Sequence, residues 1–186
     1  YAHAVDRSRG VVETLTRGLN TLLRKWNVEL IKGQATLLDA HTVGVDTRRL
    51  SAGNIILATG ARPRGLPGVE FDGELVFSYR DSIINSEVPD RVLIVGGGAI
   101  GVEFAYIYNS YGANVSVVEA LPRILPGEDK EISDELARSL EQQGIRLQVS
   151  STISEIQQHG QKGAKVILTT PDGSEDLVVD RVLVAV

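Results

Sequence analysis

Cysteine is absent from all 186 residues of the sequence, and this absence limits the chemistry that the chain can perform. A chain without cysteine forms no disulfide of its own, no thiolate metal site and no redox-active thiol. Histidine is scarce as well: the three residues lie far apart, without the short paired spacings of zinc sites, and they are His3, His41 and His159. We therefore expect no metal site in this chain.

Long apolar runs and clusters of basic residues are also missing. No run of roughly eighteen apolar residues occurs, and no charged segment followed by a short apolar one, so the sequence shows neither a membrane span nor an export signal. The net charge is -5 with Lys and Arg scattered, which gives no surface for nucleic acid or an anionic membrane. With 42% hydrophobic residues the chain can bury a core, so we expect a globular, cytoplasmic protein.

The first sixty residues predict one helix and several short strands. Apolar residues at spacings of three and four predict an amphipathic helix over residues 4–26 that packs against a core: Val12, Leu15, Leu19, Leu22 and Trp26. Short β-like runs at 28–31, 34–38, 42–45 and 48–51 indicate an antiparallel meander. Residues 54–58 then predict a continuous apolar strand that ends at the turn formed by Thr59, Gly60 and Ala61.

Residues 63–89 are interpreted as a connection without regular structure, because prolines and glycines crowd its beginning. After it, the sequence predicts a βαβ unit: a strand from Arg91, a glycine turn, a helix over 99–111 and a strand over 114–118. A helix ending at Gly144 and a strand at 145–149 follow. A second meander and a final apolar strand at 180–186 complete the pattern. Both lobes thus end a meander on an apolar strand, a weak repeat that suggests two copies of one nucleotide-binding architecture, the first incomplete.

The glycine turn carries the chemistry of the second lobe. It has the pattern G-x-G-x-x-G between a predicted strand and a predicted helix, with Gly96 for the tight turn, Gly98 for close approach of a pyrophosphate and Gly101 for helix–strand packing. Free N–H groups and the helix dipole would then meet the phosphates. Gly97, Ala99 and Ile100, which lie between these glycines, are candidate contacts too. The alternative is a plain glycine-rich turn with no ligand.

Glu119 strengthens the nucleotide interpretation because it ends the second strand about twenty residues beyond the motif. A carboxylate there can accept hydrogen bonds from both hydroxyls of an adenosine ribose and would repel a 2′-phosphate. Arg123 lies nearby, but no arginine replaces the acid, so NAD is favoured over NADP. A solvated strand end is the alternative.

Glu103 lies two residues after Gly101 and allows two interpretations. Its carboxylate either interacts with the positive end of the helix dipole or points toward a nicotinamide, and the spacing does not separate these. The turn at residues 59–61 is similarly open: before any resemblance is considered, it is equally well a plain strand exit.

Four segments together resemble the pyridine nucleotide-disulfide oxidoreductases: ATGARPRGLPG at 58–68, VLIVGGGAIGVEFA at 92–105, VVEALPRILPGEDKEIS at 117–133 and VLVAV at 182–186. Within this family, the LPGEDKEIS segment favours the dihydrolipoamide dehydrogenases over the mercuric reductases and the NADH oxidases. The resemblance implies a Rossmann-like FAD/NAD(P)-binding α/β fold, with a parallel sheet, helices on one face and an antiparallel meander on the other.

The resemblance also implies roles for individual residues. Residues 1–62 would belong to an FAD domain, 63–89 to the connection and 90–186 to an NAD domain. NAD would contact the glycine turn, Glu119 and, at the adenine, Ile153; Glu103 would lie near the nicotinamide and flavin. FAD would contact Ala35, Thr59, Gly60 and Ala61. Family members pass electrons between NAD and a cysteine pair through the flavin, act as homodimers and in some cases join 2-oxo acid dehydrogenase complexes.

The sequence departs from the family where catalysis would need it most. The first FAD-binding glycine motif, the redox cysteine pair and the C-terminal histidine–glutamate pair are not found in it. We therefore expect a fragment that binds NAD, binds flavin weakly or not at all, and has no activity alone. In such a fragment the apolar face of the first helix would be exposed and drive association. A stand-alone NAD-sensing module is the alternative from another class.

Overall fold

The computed structural model describes residues 1–160 and 162–186, and these form two compact units. One unit is Asp6–Ala61; the other combines Tyr1–Val5 with Arg62–Val186. The elements in chain order are α1 (Ala2–Lys25), β1 (Ala35–Asp39), β2 (Thr42–Val45), β3 (Arg48–Ser51), β4 (Val76–Ser78), α2 (Tyr79–Ile84), β5 (Arg91–Val95), α3 (Ala99–Ser110), β6 (Asn114–Val118), α4 (Lys130–Gln142), β7 (Arg146–Gln148), β8 (Thr152–His159), β9 (Gly163–Thr170), β10 (Gly173–Val179) and β11 (Arg181–Val184).

A five-stranded parallel sheet is the centre of the larger unit, with the strand order β4-β11-β5-β6-β7. Its strands are nearly continuous apolar runs because both faces are covered. On β5, Val92 and Ile94 pack with the helices α3 and α4, whereas Leu93 and Val95 pack against the antiparallel sheet of β8, β9 and β10. This arrangement confirms the predicted Rossmann-like α/β fold, with helices on one face and a meander on the other.

The predicted βαβ unit is present as β5, α3 and β6, with each boundary within a residue of the expected one. The helices α3 and α4 are each followed by a glycine, as expected. Gly112 and Gly144 have φ values of 94° and 89°, in the left-handed region where glycine is favoured. The Asp129 carboxylate caps α4 by accepting the Glu131 N–H at 2.9 Å. Among the described residues, no helix is long and apolar enough to cross a membrane.

The segment 63–89, predicted to lack regular structure, contains regular elements. It contains β4 and α2, and β4 pairs with β11 in the parallel sheet. Val76 and Phe77 are buried there, and Ser78 with Asp81 forms a capping box at the start of α2. The strand was missed because it has only three residues and its partner lies far along the chain. The division of the chain into FAD, connecting and NAD regions stays a prediction.

The unit Asp6–Ala61 contains most of α1 and the antiparallel sheet β1-β2-β3. Three of the four predicted meander strands are present, but residues 28–31 form none. The strand predicted at residues 54–58 is also wrong, and Ile56 and Leu57 are 89% and 70% exposed. A buried strand needs neighbours that accept and donate backbone hydrogen bonds, and no described strand pairs with this segment.

Helix α1 forms over nearly the predicted range, but most of its apolar stripe does not pack. Leu15 and Trp26 are 69% and 70% exposed, and Leu19 and Leu22 are also exposed. Only Val5, in the first turn, is buried. The expectation of a helix packed against a core is therefore wrong for residues 11–26, whose apolar face is exposed.

A reciprocal pair of residues fixes the register of the central strands. The Asp180 carboxylate, just before β11, accepts the Arg91 backbone N–H at 2.9 Å and the Arg91 guanidinium at 2.6 Å. In return the Asp180 N–H donates to the Arg91 carbonyl at 2.9 Å. The hydrogen bonds from Arg91 lower the pKa of Asp180 despite its partial burial, since they stabilise the charged form. The register set here determines how the opposite ends of β5 and β11 meet.

Replacing Asp180 with Asn should lower the free energy of unfolding by roughly 1 kcal/mol at pH 7. Because the folded-state pKa of Asp180 is depressed, its stabilisation is present above the unfolded-state value and is lost as the pH falls through the folded-state value. Urea denaturation at pH 7 and at pH 3 measures this, and the two proteins should converge at low pH. Asp172→Asn, in the turn before β10, is the control. An undiminished difference at pH 3 would contradict the role of the charge.

Candidate functional site

The glycine turn lies at the carboxyl edge of the parallel sheet, between β5 and α3. The Gly96 N–H donates to the Val118 carbonyl of the neighbouring strand β6 at 2.8 Å, so the turn begins while still hydrogen-bonded to the sheet. Glu119 follows β6 at the same edge. In open α/β sheets, ligands bind in the crevice outside the carboxyl ends of the strands, and a ligand site is therefore expected at this edge.

Two of the glycines are required by the packing of the turn itself. Gly96 has a φ of 108°, and a Cβ atom there would lie 2.5 Å from the Ala185 carbonyl oxygen, just after β11. At Gly101, in the first turn of α3, a Cβ atom would collide with the Gly96 carbonyl oxygen. The helix therefore starts directly against the strand that precedes it, as the motif predicted.

Gly98 differs because the space in front of it is open. A Cβ atom there would meet nothing within 4 Å, although its φ of -74° suits any residue. Gly98 is the N-cap of α3 and makes no side-chain cap, and four successive N–H groups donate to no acceptor among the described residues: those of Gly98, Ala99, Ile100 and Gly101. Free donors at the positive end of a helix dipole suit a phosphate group, so these residues fit a dinucleotide.

The Glu119 side chain is fixed beside this turn. One carboxylate oxygen accepts the Gly97 N–H at 2.7 Å and the other accepts the Leu121 N–H at 2.8 Å. Glu119 is half-buried, so it is more than a solvated strand end. Each oxygen keeps further acceptor capacity for a hydroxyl group. The sequence predicted that Glu119 lies near the turn, and it missed the direct bond to Gly97.

The loop after β6 contributes residues that the motif did not indicate. Ile124 is 1% exposed and would touch a Cβ atom at Gly97 at 2.9 Å, and the Leu125 N–H donates to the Gly97 carbonyl at 2.8 Å. The Arg123 guanidinium donates to the carbonyls of Pro126 and Glu128 at 2.9 and 3.3 Å, so it is engaged within the loop. The only signal in the sequence was an apolar pair between two prolines, which is too common to be specific.

Glu103 and Ile153 have different surroundings from those of the turn. Glu103 is exposed on α3, beyond the first turn, and makes no hydrogen bond or ion pair with any described residue. It therefore does not cap the helix, and its role toward a nicotinamide stays a prediction. Ile153 on β8 is half-buried and packs in the core between the sheet and the meander, and its adenine contact also stays a prediction.

The four residues predicted to contact flavin belong to the other compact unit. Ala35 is exposed on β1, and Thr59, Gly60 and Ala61 are exposed in a segment without regular structure. Residues 6–61, all of which are described, contain no helix N-terminus, since their only helix begins at Ala2. This segment as folded therefore offers no helix N-terminus for a flavin pyrophosphate.

Several known proteins are similar to this chain in sequence. The model of the pyridine nucleotide-disulphide oxidoreductase family matches residues 1–186. The dihydrolipoyl dehydrogenase of Chlorobaculum parvum is 42% identical over 160 residues, which cover 83% of this chain and 34% of the relative. That of Mycobacterium leprae is 33% identical over 195 residues, which cover 100% of this chain and 41% of the relative. The chain thus spans between a third and about two fifths of these relatives.

Solved structures show the same fold. LpdA from Mycobacterium tuberculosis superimposes with a TM-score of 0.87 at 26% identity and covers 100% of this chain and 42% of its own. The HOCl-induced flavoprotein disulfide reductase RclA from Escherichia coli gives a TM-score of 0.81 at 28% identity, with the same two coverages.

Two glycine substitutions should separate the packing role from the open position. Gly101→Ala should lower the free energy of unfolding by roughly 2 kcal/mol or more, because the added methyl group collides with backbone. Gly98→Ala should cost less than about 1 kcal/mol, since only N-cap preference changes. Thermal or urea unfolding of both variants measures the difference. Equal costs at the two positions would show that the turn is not packed as described.

Proposed function

Because this chain belongs to the pyridine nucleotide-disulphide oxidoreductase family, we propose that its larger unit binds NAD at the glycine turn between β5 and α3. The observation that carries the proposal is the open space at Gly98 beside four N–H groups without protein acceptors. Helix N-termini of this kind bind the pyrophosphate of a dinucleotide. Gly96, Gly97 and Gly101 shape the turn, and Ala99 and Ile100 contribute backbone donors.

The ribose would be recognised by Glu119. Its carboxylate is oriented by the Gly97 and Leu121 N–H groups, and it can accept hydrogen bonds from the 2′- and 3′-hydroxyls of adenosine. A 2′-phosphate would face a carboxylate instead of a cation, because Arg123 is engaged by two loop carbonyls. Repulsion between the Glu119 carboxylate and a 2′-phosphate would disfavour NADP, so we infer a preference for NAD over NADP.

The remaining predicted contacts come from the family resemblance. Ile153 would border the adenine, and Glu103, exposed and unpaired on α3, would face the nicotinamide side. Bound NAD supplies a hydride acceptor or donor. The role of this chain is to bind and orient that cofactor.

The relatives are longer than this chain, and we infer a complete redox reaction for a protein of that length. The dihydrolipoyl dehydrogenase names of those relatives support oxidation of dihydrolipoamide to lipoamide with reduction of NAD to NADH and release of a proton, through FAD and a redox disulfide. This chain has no cysteine, so the disulfide would come from residues other than these. In that protein Ala35 and residues 59–61 would contact FAD. The assembly proposed for the longer protein is a cytoplasmic homodimer that acts within a 2-oxo acid dehydrogenase complex.

The other disulfide-reductase chemistries use the same turn. A mercuric reductase or an NADH oxidase is the alternative within the family, as the sequence resemblance left open. An NAD-sensing module without chemistry is the alternative from another functional class. Assay of the longer protein with dihydrolipoamide, Hg²⁺ and O₂ as separate substrates distinguishes these possibilities.

Calorimetric titration of this chain with NADH and with NADPH tests the proposed site, together with an absorbance scan for bound flavin. NADH should bind, NADPH should bind at least about tenfold more weakly, and no flavin should be present. Gly98→Ala should weaken NADH binding at least about tenfold while the protein stays folded. The added methyl group would take up the open space in which the pyrophosphate is proposed to bind.

Gly53→Ala is the matched control, since its Cβ atom also meets nothing within 4 Å and it lies in the other compact unit. It should bind NADH like the unaltered chain. Absence of NADH binding by the unaltered, folded chain would refute the proposal that this unit is a working NAD site.

A further inference from the structure

Both backbone groups of Gly97 are held by the loop that follows β6. The Gly97 N–H donates to Glu119 at 2.7 Å, and its carbonyl accepts the Leu125 N–H at 2.8 Å. The next residue, Gly98, begins the row of unpaired N–H groups. The direction of those donors therefore depends on where Leu125 is placed.

Leu125 is held in an unfavourable conformation. Its φ of 43° is in the left-handed region, which leucine rarely adopts, so surrounding contacts must maintain it. The preceding residue, Ile124, is anchored in the core, and the Leu125 carbonyl accepts two hydrogen bonds. One comes from the Glu128 N–H at 2.9 Å, within the loop, and the other comes from the Ser133 hydroxyl at 3.1 Å.

Ser133 is the only one of these donors that belongs to a regular element, near the start of α4. Ser133 is 1% exposed, and its own N–H donates to the carbonyl of the N-cap residue Asp129 at 3.0 Å. A helical serine often returns its hydroxyl proton to the carbonyl four residues earlier. Here the proton goes instead to Leu125, eight residues earlier, so α4 is tied to the loop that holds Gly97.

We propose that Ser133 is a positioning residue for the nucleotide site, acting through Leu125 on Gly97. This inference rests on the proposed function, since the N–H groups that it orients are those proposed to bind the pyrophosphate of NAD. No contact between Ser133 and the cofactor is required.

Ser133→Ala should weaken NADH binding by about three- to tenfold, the effect of losing one hydrogen bond in the contact chain. Hydrogen exchange at the Leu125 amide should accelerate, whereas exchange at Leu93 in the central strand should not. Ser82→Ala is the matched control: Ser82 is 0% exposed on α2, and its replacement should leave NADH binding unchanged. If Ser133→Ala failed to fold, Ser133→Cys, which nearly conserves volume and donates weakly, should show the same loss.

A second substitution separates positioning from general destabilisation. Asn tolerates the left-handed region better than Leu, so Leu125→Asn should maintain the turn without help. In that background Ser133→Ala should change NADH affinity by less than about twofold, which is a coupling that a merely structural loss would not give.

Three outcomes would overturn the inference, and they are distinguishable. If the unaltered chain bound NADH and Ser133→Ala bound it equally well, this inference alone would fail. An equal loss in both backgrounds would overturn it in the same way. If the unaltered chain bound no NADH, the proposed function would fail as well.

Discussion

The absence of side chains at Gly96 and Gly101 is the constraint on which the site depends. A Cβ atom at Gly101 collides with the carbonyl of Gly96, and one at Gly96 meets the carbonyl of Ala185. Because these approaches are so close, α3 starts directly at the end of β5, and its first N–H groups point past the sheet edge rather than into a packed core. An extra methyl group would move the helix away from the strand and would change the direction of every donor at its start.

This close packing needs a sheet that is itself fixed on both faces. Alternate residues of β5 belong to two cores, Val92 and Ile94 toward the helices and Leu93 and Val95 toward the meander. A slip of one residue would exchange the two sets of side chains, so the register is strongly specified. At the amino ends, Arg91 and Asp180 hold the same register by reciprocal hydrogen bonds. The position of Ala185 against Gly96 follows from that register.

The sequence predicted the parts of this fold that are encoded locally. The glycine turn, the terminating Gly112 and Gly144 and the apolar runs each carry a short-range signal, and β5, α3 and β6 accordingly appear within a residue of their expected bounds. β4 was missed because a strand of three residues gives no signal without its partner, β11, which follows far along the chain. The Glu119–Gly97 bond and the role of Leu125 were missed for the same reason, since backbone hydrogen bonds of a loop depend on tertiary placement.

The apolar face of α1 and the run at residues 54–58 show the limit of hydrophobic periodicity in another way. Periodicity indicates which side chains would stabilise the fold if they were buried, and it does not indicate which residues bury them. For the strands of the parallel sheet, the cover is present in the same unit, and the residues are buried. For Leu15, Trp26 and Ile56 no described residue supplies that cover, and the same kind of pattern leaves them exposed. Residues 54–58 therefore form no β-strand, because a strand is stabilised by the partners it bonds to and not by its own residues alone. Helix α1 forms although its apolar face is exposed, because its backbone hydrogen bonds are internal to the helix. A strand has no such internal hydrogen bonds.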